Sequence, residues 1–303
     1  MLSKIVASHK SAIGAQVKKF GRLTLRRPPL FLPHSQLIFL CGANANTGIP
    51  SARRKEIKRF IESLSPQFRV IYAENVFTEL KNLGGNKNSL DLEDEISRIA
   101  DKVLIILESP SAFCELGAFS HATLRKNVIV INDSHFRSQE SFINTGPIAA
   151  LEEVKSPVLW YPMANGGIQQ LDGIGAVFGD LGDALNAASG ARARRIRGDA
   201  SDLKADRTSL YFIHDVIHFS EPITYEEIID ILKSGFGEKD YGILKRLLGI
   251  LKASGFINST GERRNRIFRS AIGTPLMRHE LDTKPLIAAF RGFHLRHNPG
   301  RFG

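Results

Sequence analysis

"VLIILESPSAFCELGAFSHA", Val103 to Ala122, runs from five aliphatic residues into two carboxylates, a cysteine and a cluster of small residues. An unbroken aliphatic run bounded by charge reads as a strand buried on both faces, the kind that parallel sheets use. On this reading Val103 to Leu107 is a central strand, Glu108 to Phe113 a crossover loop, and Cys114 the start of a helix. Glu115 then falls in the first helical turn, where unpartnered amides and the helix dipole favour an ionised carboxylate. A carboxylate kept ionised in a partly dry cleft attacks an electrophilic carbon. Gly117 and Ala118 let that helix approach the sheet closely. The plainer alternative is a strand-to-helix turn that is merely polar.

Outward from this stretch, strand and helix alternate. "LIFLCG" and "RVIYAENVF" read as strands, "SARRKEIKRFIESL" as a helix with Ile57, Phe60, Ile61 and Leu64 on one face. "SLDLEDEISRIA" predicts a helix capped by Ser89 or Asp91, with Leu92, Ile96 and Ile99 aligned. "NVIVIND" and "PVLWYP" continue the strands. Such alternation predicts an α/β, Rossmann-like doubly wound parallel sheet over residues 36–165. Ligands bind these sheets at the carboxyl ends of the strands. Cys41, Gly42, Tyr72, Glu74, Glu108, Ser109, Asn132 and Asp133 occupy those ends.

The chain of 303 residues has a net charge of +10, unevenly spread. Residues 1–40 hold seven Lys/Arg and no acids, residues 41–189 sum to −4, and residues 190–303 to +7. Basic ends around a mildly acidic middle point to a polyanion partner rather than to solubility alone. Two cysteines without metal-ligand spacing argue against both a disulfide framework and a zinc site, so no metal is expected. No apolar run suits a membrane span and no leader with a long apolar core is evident, which predicts a cytoplasmic protein with no membrane contact.

Residues 1–35 read as a basic N-terminal arm. Residues 166–205 read as a glycine-weakened helix, with Ile168, Leu171, Ile174, Val177, Phe178, Leu181 and Leu185 in phase, and an Arg-rich connector holding Arg192, Arg194, Arg195 and Arg197. From 206 to 303 three helices precede a basic hairpin, the succession of an α-rich winged helix. Thr224 and Glu227 form a capping box at the second helix. Arg263, Arg264, Arg266 and Arg269 lie on the wing, four arginines in seven residues that suit phosphate contact. His214 and His218 read as surface residues and Cys114 as core.

"ESPSAFCELGAFSHA" resembles the nucleoside 2-deoxyribosyltransferase superfamily, in which the glutamate before an aliphatic-Gly pair is the nucleophile on the anomeric carbon. Glu115 holds that position. With "LIFLCG", "YAENVF" and "SFINTGPIAAL", and with a C-terminal winged helix, nearly the whole chain is similar to bacterial retron effector proteins that join such a domain to a DNA-binding one. The resemblance implies a toxic antiphage N-glycosidase acting on NAD or a related nucleotide, taken as substrate with no cofactor. It further implies control by a retron reverse transcriptase and its branched RNA-linked single-stranded DNA (msDNA), in an oligomeric complex. The glycine-rich stretch near Gly166 to Gly182 and the long basic N-terminal segment depart from that pattern.

The chemistry is consistent with one carboxylate. Charge builds on an oxocarbenium-like sugar as the glycosidic bond breaks, and Glu115 would stabilise or trap it. The nicotinamide of NAD is cationic and leaves without a proton donor. Glu108, Glu74 and Asn144 would position ribose hydroxyls, and the loop at Gly42 would offer amides to a phosphate or base. Two rivals stay open: salvage-type base exchange or hydrolysis on deoxynucleotides, and a non-enzymatic nucleotide-sensing DNA-binding regulator.

Overall fold

The computed structural model describes all residues except 1, 9, 33–35, 66–67, 83–87, 122, 187–193, 196–198, 262–264 and 303. It divides into two compact units, residues 33–77 with 87–191, and residues 1–32 with 78–86 and 192–303.

The first unit is built on five parallel strands, Phe68–Ile71, Gln36–Cys41, Lys102–Ile106, Val128–Asp133 and Val158–Tyr161, in that order across the sheet. Counted along the chain the order is 2-1-3-4-5, so the winding direction reverses between Gln36–Cys41 and Lys102–Ile106. Crevices open at such reversals. Leu37 to Cys41 and Val103 to Ile106 are all buried, which is why neither strand alternates in polarity.

Helices cover both faces. Ile57 and Ile61 of helix Ala52–Leu64 pack on the face bearing Ile38, Leu40, Leu104 and Ile106. Ile174, Val177, Leu181 and Leu185 pack on that same face. The segment expected as a helical linker is therefore part of the α/β core up to the end of helix Phe178–Asn186, because its apolar stripe needs a sheet to cover it. Leu171 lies outside the stripe and is 61% exposed. On the opposite face, the Phe39 ring meets Phe119 of helix Pro110–Phe119 at 6.0 Å, and helix Ser89–Ile99 buries Leu92, Ile96 and Ile99. Asn88, rather than Ser89 or Asp91, caps that helix by accepting from Asp91 N at 2.8 Å.

The second unit holds helices Arg207–Ser220, Tyr225–Phe236 and Leu244–Ala253, then an antiparallel sheet of Ile223–Thr224, Ile267–Ser270 and Ile257–Thr260 with Ile267–Ser270 in the middle. The Thr224–Glu227 capping box is formed. Residues 1–32 are not an arm. Helix Ala12–Arg26 buries Ile13, Val17 and Phe20, and the Phe20 ring lies 5.8 Å from Phe236 and 5.9 Å from Phe219. Gly21 makes the approach possible, since a Cβ there would stand 1.9 Å from the Gly235 carbonyl oxygen. Basic composition masked a helix whose other face is apolar.

His214 and Asp215 are fully buried, not on the surface as expected for His214. Asp215 accepts from Leu276 N at 2.6 Å and Met277 N at 3.0 Å, and pairs with His214 Nδ1 at 2.9 Å and His279 Nε2 at 2.8 Å. Among the described residues no helix is long and apolar enough to cross a membrane, and no group of three or more His, Cys, Asp or Glu is placed to hold a metal.

Candidate active site

Ser109 and Pro110 decide where the key helix begins. Ser109 Oγ accepts from Ala112 N at 3.3 Å and Pro110 takes the first helical position, where a missing N–H costs nothing. The helix is Pro110–Phe119, one turn longer at its start than expected from a beginning at Cys114. Glu115 is thus its sixth residue, about 7.5 Å along the axis from the first. The dipole fades within the first turn, so it does not hold this carboxylate ionised.

The opposite holds. Burial pushes the Glu115 carboxyl up to about 8; Glu93 adds to the rise, Arg54 opposes it, and Glu74 adds again. Its Oε2 is buried and, among the described residues, has no hydrogen-bond partner. Cys41, at the end of its strand on the Phe39 face, has its thiol raised by burial first and Glu115 next. Glu93, from helix Ser89–Ile99, is itself raised by burial and by Glu74. Three carboxylates and one guanidinium therefore share the carboxyl end of the sheet at its reversal point. Cys114, expected as core, is exposed.

Arg54 organises the near wall. It donates to Glu74 Oε1 at 2.9 Å, Asn44 Oδ1 at 2.7 Å and the Leu40 carbonyl at 3.0 Å, with its guanidinium 4.5 Å from the centre of the Tyr72 ring. Tyr72 OH donates to the Arg54 carbonyl at 3.3 Å, and burial pushes the phenol well above its ordinary value. Tyr72 is thus a platform for Arg54. Glu74 keeps about a quarter of its side chain exposed, 23%.

Glu108 has a different task from the expected one. Its oxygens accept from Ala43 N at 3.0 Å, Ser51 Oγ at 2.6 Å and Arg53 Nη1 at 3.1 Å, and its side chain is 0% exposed. Wholly buried, it has no surface to offer a ribose hydroxyl; Glu108 instead pins the turn at Gly42. That turn needs glycine, with φ +150° and room for no Cβ, which would lie 2.9 Å from Glu108 Oε1. Arg53 also donates from Nη2 to Asp172 at 2.7 Å and to the Ala164 carbonyl at 2.6 Å, tying the glycine-rich segment to the same turn. Burial alone raises the Asp172 carboxyl, but Arg53 and the Ala164 N–H hold it below its ordinary value. Asn144 donates from Nδ2 to the Phe136 and Gln139 carbonyls at 2.7 and 2.8 Å, ordering the loop after Asp133.

Arg53, Arg54, Glu93 and Asp172 were not singled out from sequence. Two adjacent arginines in the first turn of a helix, where the dipole disfavours cations, were the available signal for the first two.

Of the basic residues, Arg266 and Arg269 flank and join strand Ile267–Ser270 and are half-buried. Arg194–Arg195 form a short strand. Arg192, Arg197, Arg263 and Arg264 lie outside the described residues.

A family model described as "STM3845 retron effector protein" matches residues 50–259. Two curated relatives from Escherichia coli are similar. "Retron Ec73 putative ribosyltransferase/DNA-binding protein" is 34% identical over 314 aligned positions, covering 99% of this chain and 92% of its own. "Retron Ec86 putative ribosyltransferase/DNA-binding protein" is 35% identical over 120, covering 39% of this chain and 38% of its own.

Proposed function

This chain belongs to the retron effector family, and from that premise we propose that its α/β unit hydrolyses the N-glycosidic bond of NAD or a related nucleotide through Glu115. The observation that carries the reading is the state of Glu115: a carboxyl raised to about 8, one oxygen unpartnered, among Glu93 and Glu74 at the sheet's reversal point. Buried polar groups without partners are rare and call for an explanation. A substrate that brings positive charge supplies one. The pyridinium of NAD is such a charge, and its field favours ionisation of Glu115 on binding.

In the reaction, Glu115 Oε attacks the ribose C1′ as the C1′–N bond breaks, and the bonding pair neutralises the pyridinium nitrogen. Nicotinamide departs without a proton. Water then attacks C1′ of the glycosyl ester, releasing ADP-ribose, a proton and the free carboxylate. Arg54, held by Glu74 and Asn44, limits repulsion among the three glutamates. Gly42, pinned by Glu108, brings backbone close to the ligand. The second unit, as a winged helix, contacts nucleic acid, and a reverse transcriptase with its msDNA restrains the glycosidase in an oligomeric cytoplasmic complex.

The test is incubation of the purified chain with NAD, and separately with deoxynucleotides and a free acceptor base, followed by product chromatography. Stoichiometric nicotinamide and ADP-ribose are expected. Intact NAD beside exchanged deoxynucleosides would move the chain to salvage chemistry, and no turnover of either would leave only the regulator.

A further inference from the structure

Helix Ala12–Arg26 has two faces. One is the buried side already described; the other carries Lys19, Arg22, Arg26 and, just past the helix end, Arg27, all exposed. Their spacing of three, four and one residues puts them along one side over about 12 Å. Among the described residues none of the four forms an ion pair. The segment contains no acid that would neutralise them, since residues 1–32 hold none at all.

A second, independent observation extends the stripe. The chain leaves this helix through strand Leu30–Phe31, which lies at the centre of a small antiparallel sheet. On one side Leu30 is in register with Arg278, and on the other Leu30 and Phe31 are in register with Arg195 and Arg194. Backbone pairing thus sets the strand bearing Arg278, distant in sequence, alongside Leu30, three residues past Arg27. Arg278 is exposed. Like charges gathered this way repel one another unless a polyanion lies over them. Glu280 and Asp282 line a hollow of about 330 Å³ together with Lys19, Arg26 and Arg27. Two carboxylates against Lys19, Arg22, Arg26, Arg27 and Arg278 leave this surface with an excess of positive charge.

We infer that this surface, the exposed face of helix Ala12–Arg26 with Arg27 and continued to Arg278, binds the sugar-phosphate backbone of a polynucleotide strand. A line of cations of this length suits several consecutive phosphates, not a single anion. Phosphate contacts of this sort position a strand without reading its bases. The inference rests on the nucleic-acid-binding reading of the second unit, and it moves the main contact from the hairpin arginines to the N-terminal helix.

The test uses the full chain and a labelled single-stranded DNA, titrated at several salt concentrations. Variants are Lys19→Gln/Arg22→Gln/Arg26→Gln/Arg27→Gln, and Arg266→Gln/Arg269→Gln as the hairpin comparison. All six side chains lie off the buried core, and matching melting curves confirm folding. Each phosphate contact on a single strand contributes about 0.7 to the slope of log affinity against log salt, so the helix variant should lose about two to three units. The hairpin variant should lose less. An unchanged slope in the helix variant, with wild type binding DNA in a salt-dependent way, overturns the inference and leaves the nucleic-acid reading standing. Wild type that does not bind at all removes both. Competition by polyglutamate as effective as by an unlabelled oligonucleotide would assign the surface to an acidic protein instead.

Discussion

Asp215 in the helical unit and Glu115 in the α/β unit are both carboxylates withdrawn from water, and their surroundings treat them oppositely. Asp215 has two backbone amides and two imidazoles, and although burial alone raises its carboxyl, His214 and His279 hold it below its ordinary value. Glu115 has an oxygen with no partner among the described residues and two like-charged neighbours, and burial together with them pushes it up to about 8. A buried charge with every lone pair occupied is a structural bolt. One left short of partners is held ready for something that arrives. Glu108, with Ala43, Ser51 and Arg53, belongs with Asp215 despite standing beside Glu115.

The sharpest way to break this comparison is to exchange each carboxylate for its amide and measure both activity and stability. Glu115→Gln should lower NAD turnover by about four orders of magnitude or more, as loss of a nucleophile does. Its stability effect carries the opposite sign. Because folding raises the Glu115 carboxyl from 4.5 to about 8, the folded state binds the extra proton between those values. Wild-type stability therefore falls as pH rises through that window, and the amide removes this fall. Melting curves from pH 5 to 8 should be flatter for Glu115→Gln than for wild type. Parallel curves would mean that Glu115 is not protonated in the free protein.

Asp215→Asn should do the reverse, costing about 3 to 5 kcal/mol in urea unfolding at neutral pH, since it strands partners in a closed core. A depressed carboxyl contributes stability above its unfolded value near 3.8 and loses it as pH falls through the lower folded value. The variant and wild type should accordingly converge in strong acid. A cost under about 1 kcal/mol would show that the His214 and His279 contacts are made by a neutral network.

The parallel strands and the Thr224 capping box were legible in the sequence because each is a local pattern: an apolar run, a three-residue spacing. What was illegible depends on partners far along the chain. Asp172 meets Arg53 across 119 residues, and Asp215 meets Leu276 across 61. Periodicity assigns a residue to a face but not to a partner, so Glu108 at a strand end looked like a ligand and is a brace. The start of helix Pro110–Phe119 was missed for a local reason. Ser-Pro is a cap followed by a first-turn proline, and it places the start one turn before Cys114.

The smallest expected effect is also the most specific to the site. If Glu115 must ionise to act, kcat/KM for NAD rises with pH along a limb whose apparent pKa is near 8. Burial causes most of the rise and no single substitution removes it, but the contribution of Glu93 is separable. Glu93→Gln takes away a like charge, so Glu115 ionises more easily and the limb moves to lower pH, by about half a unit to one unit, or roughly 1 kcal/mol. At pH 6 the variant should then be several-fold faster than wild type relative to each one's plateau, while at pH 9 both are fully ionised. A general loss of folding would lower both ends of the profile and leave the midpoint in place. A midpoint that stays near 8 in a folded variant would show that Glu93 is itself neutral when Glu115 titrates, consistent with its own raised carboxyl. Glu93 would then keep its own proton through the transition, and the limb would belong to Glu115 alone.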